Sequence, residues 1–582
     1  MRTSVQSHPL VGVMAALVMT VSAGNIVQGP ITLPNVGGVA PQITPDPSIT
    51  PATPPPSDSY SVINSERMAQ RFLATATFGG TQEEIEELVG RDAADWLAEQ
   101  FNEVATSYVD RVTPLVTIEV DRFFAARADD NYHENLFWEE AITANDQLRQ
   151  RALFALSQIV VLRGQGKFVQ RYSPYMDNLY LNAFGNYRDL LQDITYTAAM
   201  GDYLTYEGNR KADPNTGRLP DENYAREILQ LFSIGLIELN QDGTPKTLND
   251  ETIDTFNNDD IVNLARVFTG LRYDRDLGSV LGWTEPMRMQ ENWHSEAEKD
   301  FLDTVIPAGT DGNTSISLAL DGIFAHDNVP PFLARQLIQR FTMSNPSPQY
   351  VERVANAFAN GLFEAGNGLV FGTGQRGDLK ATIAAVLLDP LMFRRTVPGK
   401  LREPVLRFVH MVRGLETGNI VVANEVELNN TDDAGTSLGQ QAFRSPSVFN
   451  FYRPGYVAPN TESGVFGYTA PELQTVNGAT SIGYINFMSE FVLDRSRNND
   501  TGTFTPNYDP FLALVDDTSE LLAYTDKLFT GGRLPAEDMQ DYMDIVDAMP
   551  MRTGGNQDYD LLRRVQVAIL LVTTSPTFAV LQ

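Results

Sequence analysis

The sequence predicts a mainly α fold: one large helical domain, its division into two lobes left open, with long loops and few short strands. Three observations predict it. After about residue 60, apolar residues recur three and four positions apart through most of the chain, the spacing of one face of a helix. Clean two-residue alternation, the mark of a half-buried strand, is scarce. Apolar residues make up 42% of the 582, enough to fill a large core and too many for a disordered chain.

The elements follow in order. Residues 1–23 combine an early cation (Arg2), an apolar run from Leu10 to Val21 and the small-residue site Val21-Ser22-Ala23, which predicts a cleaved export signal. The run is too short to span a bilayer comfortably, and no later segment offers about 18 uninterrupted apolar residues. The expectation is an exported protein, periplasmic or extracellular, with no integral membrane segment after cleavage. Residues 24–59, including NVGGVAPQITPDPSITPATPPPSDS, are rich in Pro, Thr and Ser and predict a disordered tether. The helical domain occupies 60–582. Helices are predicted over SERMAQRFLATATFG (65–79), EEIEELVG (83–90), ADWLAEQFNEV (94–104), QLRQRALFALSQIVVL (147–162), PFLARQLIQRF (331–341), DLKATIAAVLLD (378–389) and YDLLRRVQVAILLV (559–572). Long loops near 207–220, 240–259, 271–315 and 417–477 are rich in Gly, Asn and Asp, and such loops more often carry function than slack.

Charge and composition exclude several classes. With 43 basic against 74 acidic side chains the formal charge is −31, which repels phosphate backbones and makes nucleic acid an unsuitable partner. Only seven of the cations are lysines, and an acidic, lysine-poor exterior suits salty surroundings. The chain has no cysteine, so disulfides, cysteine-ligated zinc, iron–sulfur clusters and thiol nucleophiles are all excluded.

The richest stretch for chemistry is LPDENYAREILQLFSIGLIELNQDG (219–243). Pro220 and Asp221 mark the start of a helix expected to run to residue 239, with Glu222 complementing its positive end. Tyr224, Ile228, Leu231, Phe232, Gly235, Leu236 and Leu239 form an apolar arc; Asn223, Arg226, Glu227, Gln230 and Ser233 form the opposite stripe. That stripe is either the wall of a pocket or a solvated face with Glu222 paired to Arg226 one turn on.

This segment and six others, RALFALSQIVV (151–161), LARVFTGL (264–271), HDNVPPFLARQLIQRFTMSNPSPQYV (326–351), RGDLKATIAAVLLDP (376–390), GKLREPVLRF (399–408) and SPSVFNFYRPGY (445–456), resemble in that order the bacterial family called domain of unknown function 1800. The likeness covers about Glu66 to the C-terminus. It implies an exported protein, commonly encoded beside a second exported, sulfatase-like family that is then a candidate partner, and it confers no activity. His294 and Lys299 in WHSEAEKDF (293–301) look like the family's His-to-Lys segment, and His326 opens its HDNVPPF motif.

A body containing only His133, His294, His326 and His410 does not build a histidine-rich metal centre. A site mixing His294 or His326 with Glu227 would suit a divalent cation or acid–base chemistry, against a plain packing or capping role for each imidazole. Glu238, Asn240, Asp242 and Gly243 read as half of a calcium loop, but Asn249 stands where the bidentate glutamate belongs, so Asp242-Gly243 is better read as a hairpin turn. Gly372, Gly374 and Gly377 match a dinucleotide fingerprint in letters without a βαβ unit around them, and Asp378 of the Arg-Gly-Asp triplet reads as a helix cap. Arg402, Glu403 and Arg407 suit a buried ion network or anion clamp. Phe449, Phe451, Tyr452, Arg453 and Tyr456 are able to stack on sugar rings or to pack a loop. No GxSxG, HExxH, Walker or kinase signature occurs.

Two readings of function stand, with a structural protein stabilised by calcium in acidic loops such as 249–260 as a third. The first is an exported binding or assembly component acting on an envelope polymer or partner protein. The second is a hydrolase of an extracellular polymer in which Glu222, Asn223, Arg226 and Glu227 meet His294, Lys299 and His326, with carboxylate and imidazole as acid and base and the cations stabilising developing charge.

Overall fold

A helix buried on every side needs apolar neighbours all round it, and QLRQRALFALS meets that demand: every residue of α3 (Gln147–Ser157) is buried. The computed structural model describes residues 61–111, 132–164, 169–277, 282–394, 399–417, 428, 431–493, 506–552, 554 and 556–582. The expected export signal and tether (1–59) lie outside the described residues. Around α3 pack α1 (Glu66–Ala76), α2 (Tyr132–Thr143), α4 (Val169–Leu181) and α8 (Val329–Phe341). A second group consists of α11 (Pro404–Gly414), α12 (Gly478–Leu493), α13 (Thr518–Thr530) and α14 (Gln557–Thr573), joined to the first by α11 against α2 and α13 against α1. The described residues form one compact unit starting near residue 56.

Aromatic rings weld these helices together. Phe137 meets Phe78, Phe154 and Phe443 with centroids 5.1 to 5.9 Å apart, and Phe408 of α11 meets Trp138, Phe487 and Phe491 at 5.0 to 5.8 Å. Such pairs add about 0.5–1.5 kcal/mol each beyond area burial.

Strands are few and short, as the sequence predicts. Each sheet among the described residues has two antiparallel strands. The hairpin β1 (Lys299–Phe301) and β2 (Thr304–Ile306) packs on α6 (Asn258–Val267) and α7 (Gly312–Ala325). The hairpin β3 (Leu362–Glu364) and β4 (Val370–Gly372) covers α10 (Leu379–Leu387), and α9 (Pro348–Asn360) packs against α8. The glycine-rich 372–377 stretch therefore follows an antiparallel hairpin, and no parallel strand offers a dinucleotide crevice there. Among the described residues no helix is long and apolar enough to cross a membrane.

Candidate functional site

The segment 219–243 starts as expected and ends early. The Asp221 carboxylate accepts the backbone amide of Asn223 at 2.9 Å, ahead of α5 (Asn223–Glu227). The chain then widens into a π-helical turn over Ile228–Ser233, with the Ser233 hydroxyl donating to the Ile228 carbonyl five residues back at 2.5 Å. The amides of Ile234 and Gly235 both reach the Leu229 carbonyl at 3.0 Å, and Gly235 (φ 73°) turns the chain out of the helix. Beyond it Ile237 and Leu239 are extended, bridging Asp254 and Pro245. The single rod to residue 239 is thus corrected. A left-handed glycine stops it, and the exposed Leu236 lies outside the apolar arc assigned to it. Asn328, fully buried at the start of α8, pins this exit: its Nδ2 donates to the carbonyls of Ile234 (2.9 Å) and Ile237 (2.8 Å), and its Oδ1 accepts from Leu239 (2.8 Å).

The polar stripe divides in two. Glu222 and Arg226 form a partly exposed ion pair at 3.7 Å, the bland alternative for this face, and Asn223 reaches the Thr205 hydroxyl at 3.5 Å. Glu227 is different. It is buried, and one of its carboxylate oxygens has no hydrogen-bond partner. Burial raises its pKa, against the pull of Arg226, and its charge in turn helps raise the Tyr203 phenol, which burial raises first.

His294 and Lys299 do come together, sealed inside the protein. The imidazole Nδ1 lies 2.9 Å from the Thr269 carbonyl, which places the proton there and leaves Nε2 as an acceptor for the Lys299 ammonium at 3.2 Å. Lys299 also donates to Ser315 Oγ at 3.0 Å, and Ser315 Oγ stands 3.2 Å from Nε2. Burial holds both pKa values below their ordinary ranges. His326 sits at the C-terminal end of α7, where its Nδ1 accepts the Asn328 amide at 3.1 Å and its charged surroundings are Glu238, Asp327, Lys246 and Arg376. Ser315 stands in the first turn of α7 and His326 is its C-cap, so a rise of about 1.5 Å per residue puts about 16 Å of helix axis between these two residues.

The half calcium loop is a turn. The Asn240 amide bonds the Thr244 carbonyl at 2.8 Å, Asp242 turns back on Thr244, and Glu238 pairs with Lys246 at 3.0 Å. Among the described residues no three His, Asp or Glu side chains are grouped so that they could hold a metal ion. Asp378 caps α10 through the Ala381 amide at 2.9 Å and is buried, as the cap reading requires.

Residues 71–580 match the family model described as a protein of unknown function, DUF1800. The chain belongs to DUF1800. No curated protein and no solved structure matches it. In this DUF1800 chain, four of the segments that carry the resemblance meet in the interior. Glu403, at the start of α11, accepts Gln158 and Gln440 on one oxygen, each at 2.5 Å. The Tyr452 hydroxyl donates to Gln158 at 3.2 Å, and Lys400 pairs with Glu472 while donating to the Gln339 carbonyl at 2.6 Å. Arg402 binds the Phe578 carbonyl and His410, and Arg407 lies 3.9 Å over the Tyr484 ring, so the three charged residues of LREPVLRF go to separate partners. Sequence reasoning placed Glu403 in a buried ion network but missed Ser315, Asn328 and the partners Gln158, Gln440, Lys400 and Glu472. The available signal was arginine and glutamine recurring inside helices otherwise apolar on every side.

Proposed function

We propose that this DUF1800 chain is an exported binding or assembly component of the cell envelope, and that it holds an uncharged polysaccharide on the loop between Ser447 and Asn477. The observation that carries the reading is a row of exposed apolar side chains on a well-anchored loop. Val465, Phe466 and Tyr468 are 82%, 58% and 52% exposed, and the Phe466 and Tyr468 rings stack at 5.8 Å with 26° between their planes. The loop is tied down from below. The Ala470 amide bonds the Tyr456 carbonyl at 2.8 Å, Gln474 accepts the Arg453 amide at 3.0 Å, and Thr469 donates to the Ser344 carbonyl at 3.0 Å. Aromatic faces held in place lose little entropy when a sugar ring stacks on them. A net charge of −31 argues against a polyanionic ligand, and the export signal read in residues 1–23 supports the location.

The hydrolase reading keeps one foothold, the approach of Lys299 and His294 to Ser315, but those three side chains are at most 1% exposed and no substrate atom reaches them without local opening. The test is retention on immobilised neutral envelope polysaccharide. Phe466→Ser with Tyr468→Ser is expected to weaken retention at least tenfold with an unchanged Tm, because stacked aromatic anchors dominate such contacts. Unchanged retention overturns the loop as the contact surface. Turnover of a glycan or ester that Ser315→Ala or Glu227→Gln abolishes overturns the binding reading altogether.

A further inference from the structure

Two arginines without a carboxylate of their own lie at the middle of the buried network. Arg151 of α3 and Arg340 of α8 are each 1% exposed. Each commits Nη2 to a main-chain carbonyl: Arg151 to that of Arg340, and Arg340 to that of Gln158 at 3.3 Å. The Nε and Nη1 groups of both have no hydrogen-bond acceptor. Aromatic rings close the flanks, Phe341 at 4.8 Å from the Arg151 guanidinium and Tyr452 at 4.9 Å from that of Arg340.

Charge does not balance here. Glu403 is the carboxylate nearest in electrostatic effect, acting on Arg151 together with Tyr452, while Glu472 is held by Lys400. Three cations (Arg151, Arg340, Lys400) thus face two anions, and four guanidinium nitrogens bearing six N–H bonds lack an acceptor while Glu403 Oε1 lacks a donor, a costly state for a buried charge.

We propose that Arg151 and Arg340 bind a small inorganic anion, a halide such as chloride, as a structural ligand in the protein interior. The anion supplies the missing negative charge and accepts from one free nitrogen of each guanidinium, since Nε–H and Nη1–H of a single guanidinium diverge. A halide suits the donors better than an oxyanion, because Nη2 is already engaged on each guanidinium and neither offers a fork of two uncommitted nitrogens. The bound ion ties α3 to α8 and to the 440–452 segment, through Gln158, Glu403 and Tyr452. This assignment is independent of the polysaccharide reading, since it concerns the core beneath the loop.

The experiment uses the whole chain at constant ionic strength, with sodium gluconate replaced stepwise by sodium chloride. Tm is expected to rise by several degrees and saturate, as linkage to one ligand of the native state requires. Arg340→Gln, which keeps a donor for the Gln158 carbonyl, is expected to lose that dependence. Crystals grown in sodium bromide are expected to show an anomalous peak between the two guanidinia, within hydrogen-bond reach of one free nitrogen of each. Water at those donors with no anomalous peak overturns the proposal, whether or not the variant folds. So does a Tm that ignores the exchange, or a chloride response that survives intact in Arg340→Gln.

Discussion

His294 and Lys299 show how a buried cation is tolerated without a carboxylate. The ammonium is shared between an imidazole nitrogen and a hydroxyl, and the imidazole is oriented by the Thr269 carbonyl behind it. Because burial lowers the folded pKa of Lys299, the folded chain sheds that proton before the unfolded chain does. The contribution of this group to stability therefore rises as pH climbs from its folded pKa to the ordinary lysine value. His294→Ala is expected to destabilise by about 2–4 kcal/mol, since it opens a cavity and strands the ammonium. In a Lys299→Met background the same substitution is expected to cost at least about 1 kcal/mol less, measured by urea unfolding of the four members of the cycle. Equal costs in both backgrounds would show that the pair is not coupled. Of the residues nominated from the sequence, this pair was legible because His and Lys stand five apart in one short segment. Ser315 was not, because a serine on an ordinary helix carries no signal until its neighbours are in place.

At the scale of elements, end chemistry decides more than periodicity does. Asp378 accepts the Ala381 amide and both the amide and the hydroxyl of Thr373, so one carboxylate fixes the start of α10 and the end of β4. Asp378→Ala is expected to cost about 1–2 kcal/mol in thermal or urea unfolding, and Asp378→Asn clearly less, because the amide still offers one acceptor. The Arg-Gly-Asp triplet is correspondingly occupied. Arg376 donates to the carbonyls of Phe324 and His326, and a Cβ on Gly377 would meet Phe324 at 2.2 Å. The early end of the 219–243 helix is the converse case. Its amphipathic letters continue to Leu239, but Gly235 at positive φ and the grip of Asn328 on the exit end it first. Pattern reading sees faces. It does not see the side chain from another element that competes for the carbonyls.

For the molecule as a whole, the excess of acid over base sets how the fold responds to salt. The −31 charge implies self-repulsion that screening relieves, with a Debye length falling from about 30 Å at 0.01 M to about 8 Å at 0.15 M. Raising sodium gluconate from 0.01 to 0.15 M is therefore expected to raise Tm by a few degrees, read by differential scanning fluorimetry with sucrose as the uncharged control. A flat or falling Tm would show that the acidic groups are already locally compensated. Gluconate keeps this measurement separate from the chloride exchange, which is made at fixed ionic strength.

The helical class, the scarcity of strands, the long helices of the core and the family were determined by the sequence alone, because 3.6-residue periodicity and long contiguous motifs are local properties that survive without coordinates. Only the tertiary structure decided that His326 stands at the far end of α7 from His294, and that Glu222 and Arg226 pair off while Glu227 is buried. It also decided that Arg151, Arg340 and Glu403, which lie far apart along the chain, share one interior. The reason is physical: distance between elements depends on how their apolar faces pack, and no spacing along the chain encodes that.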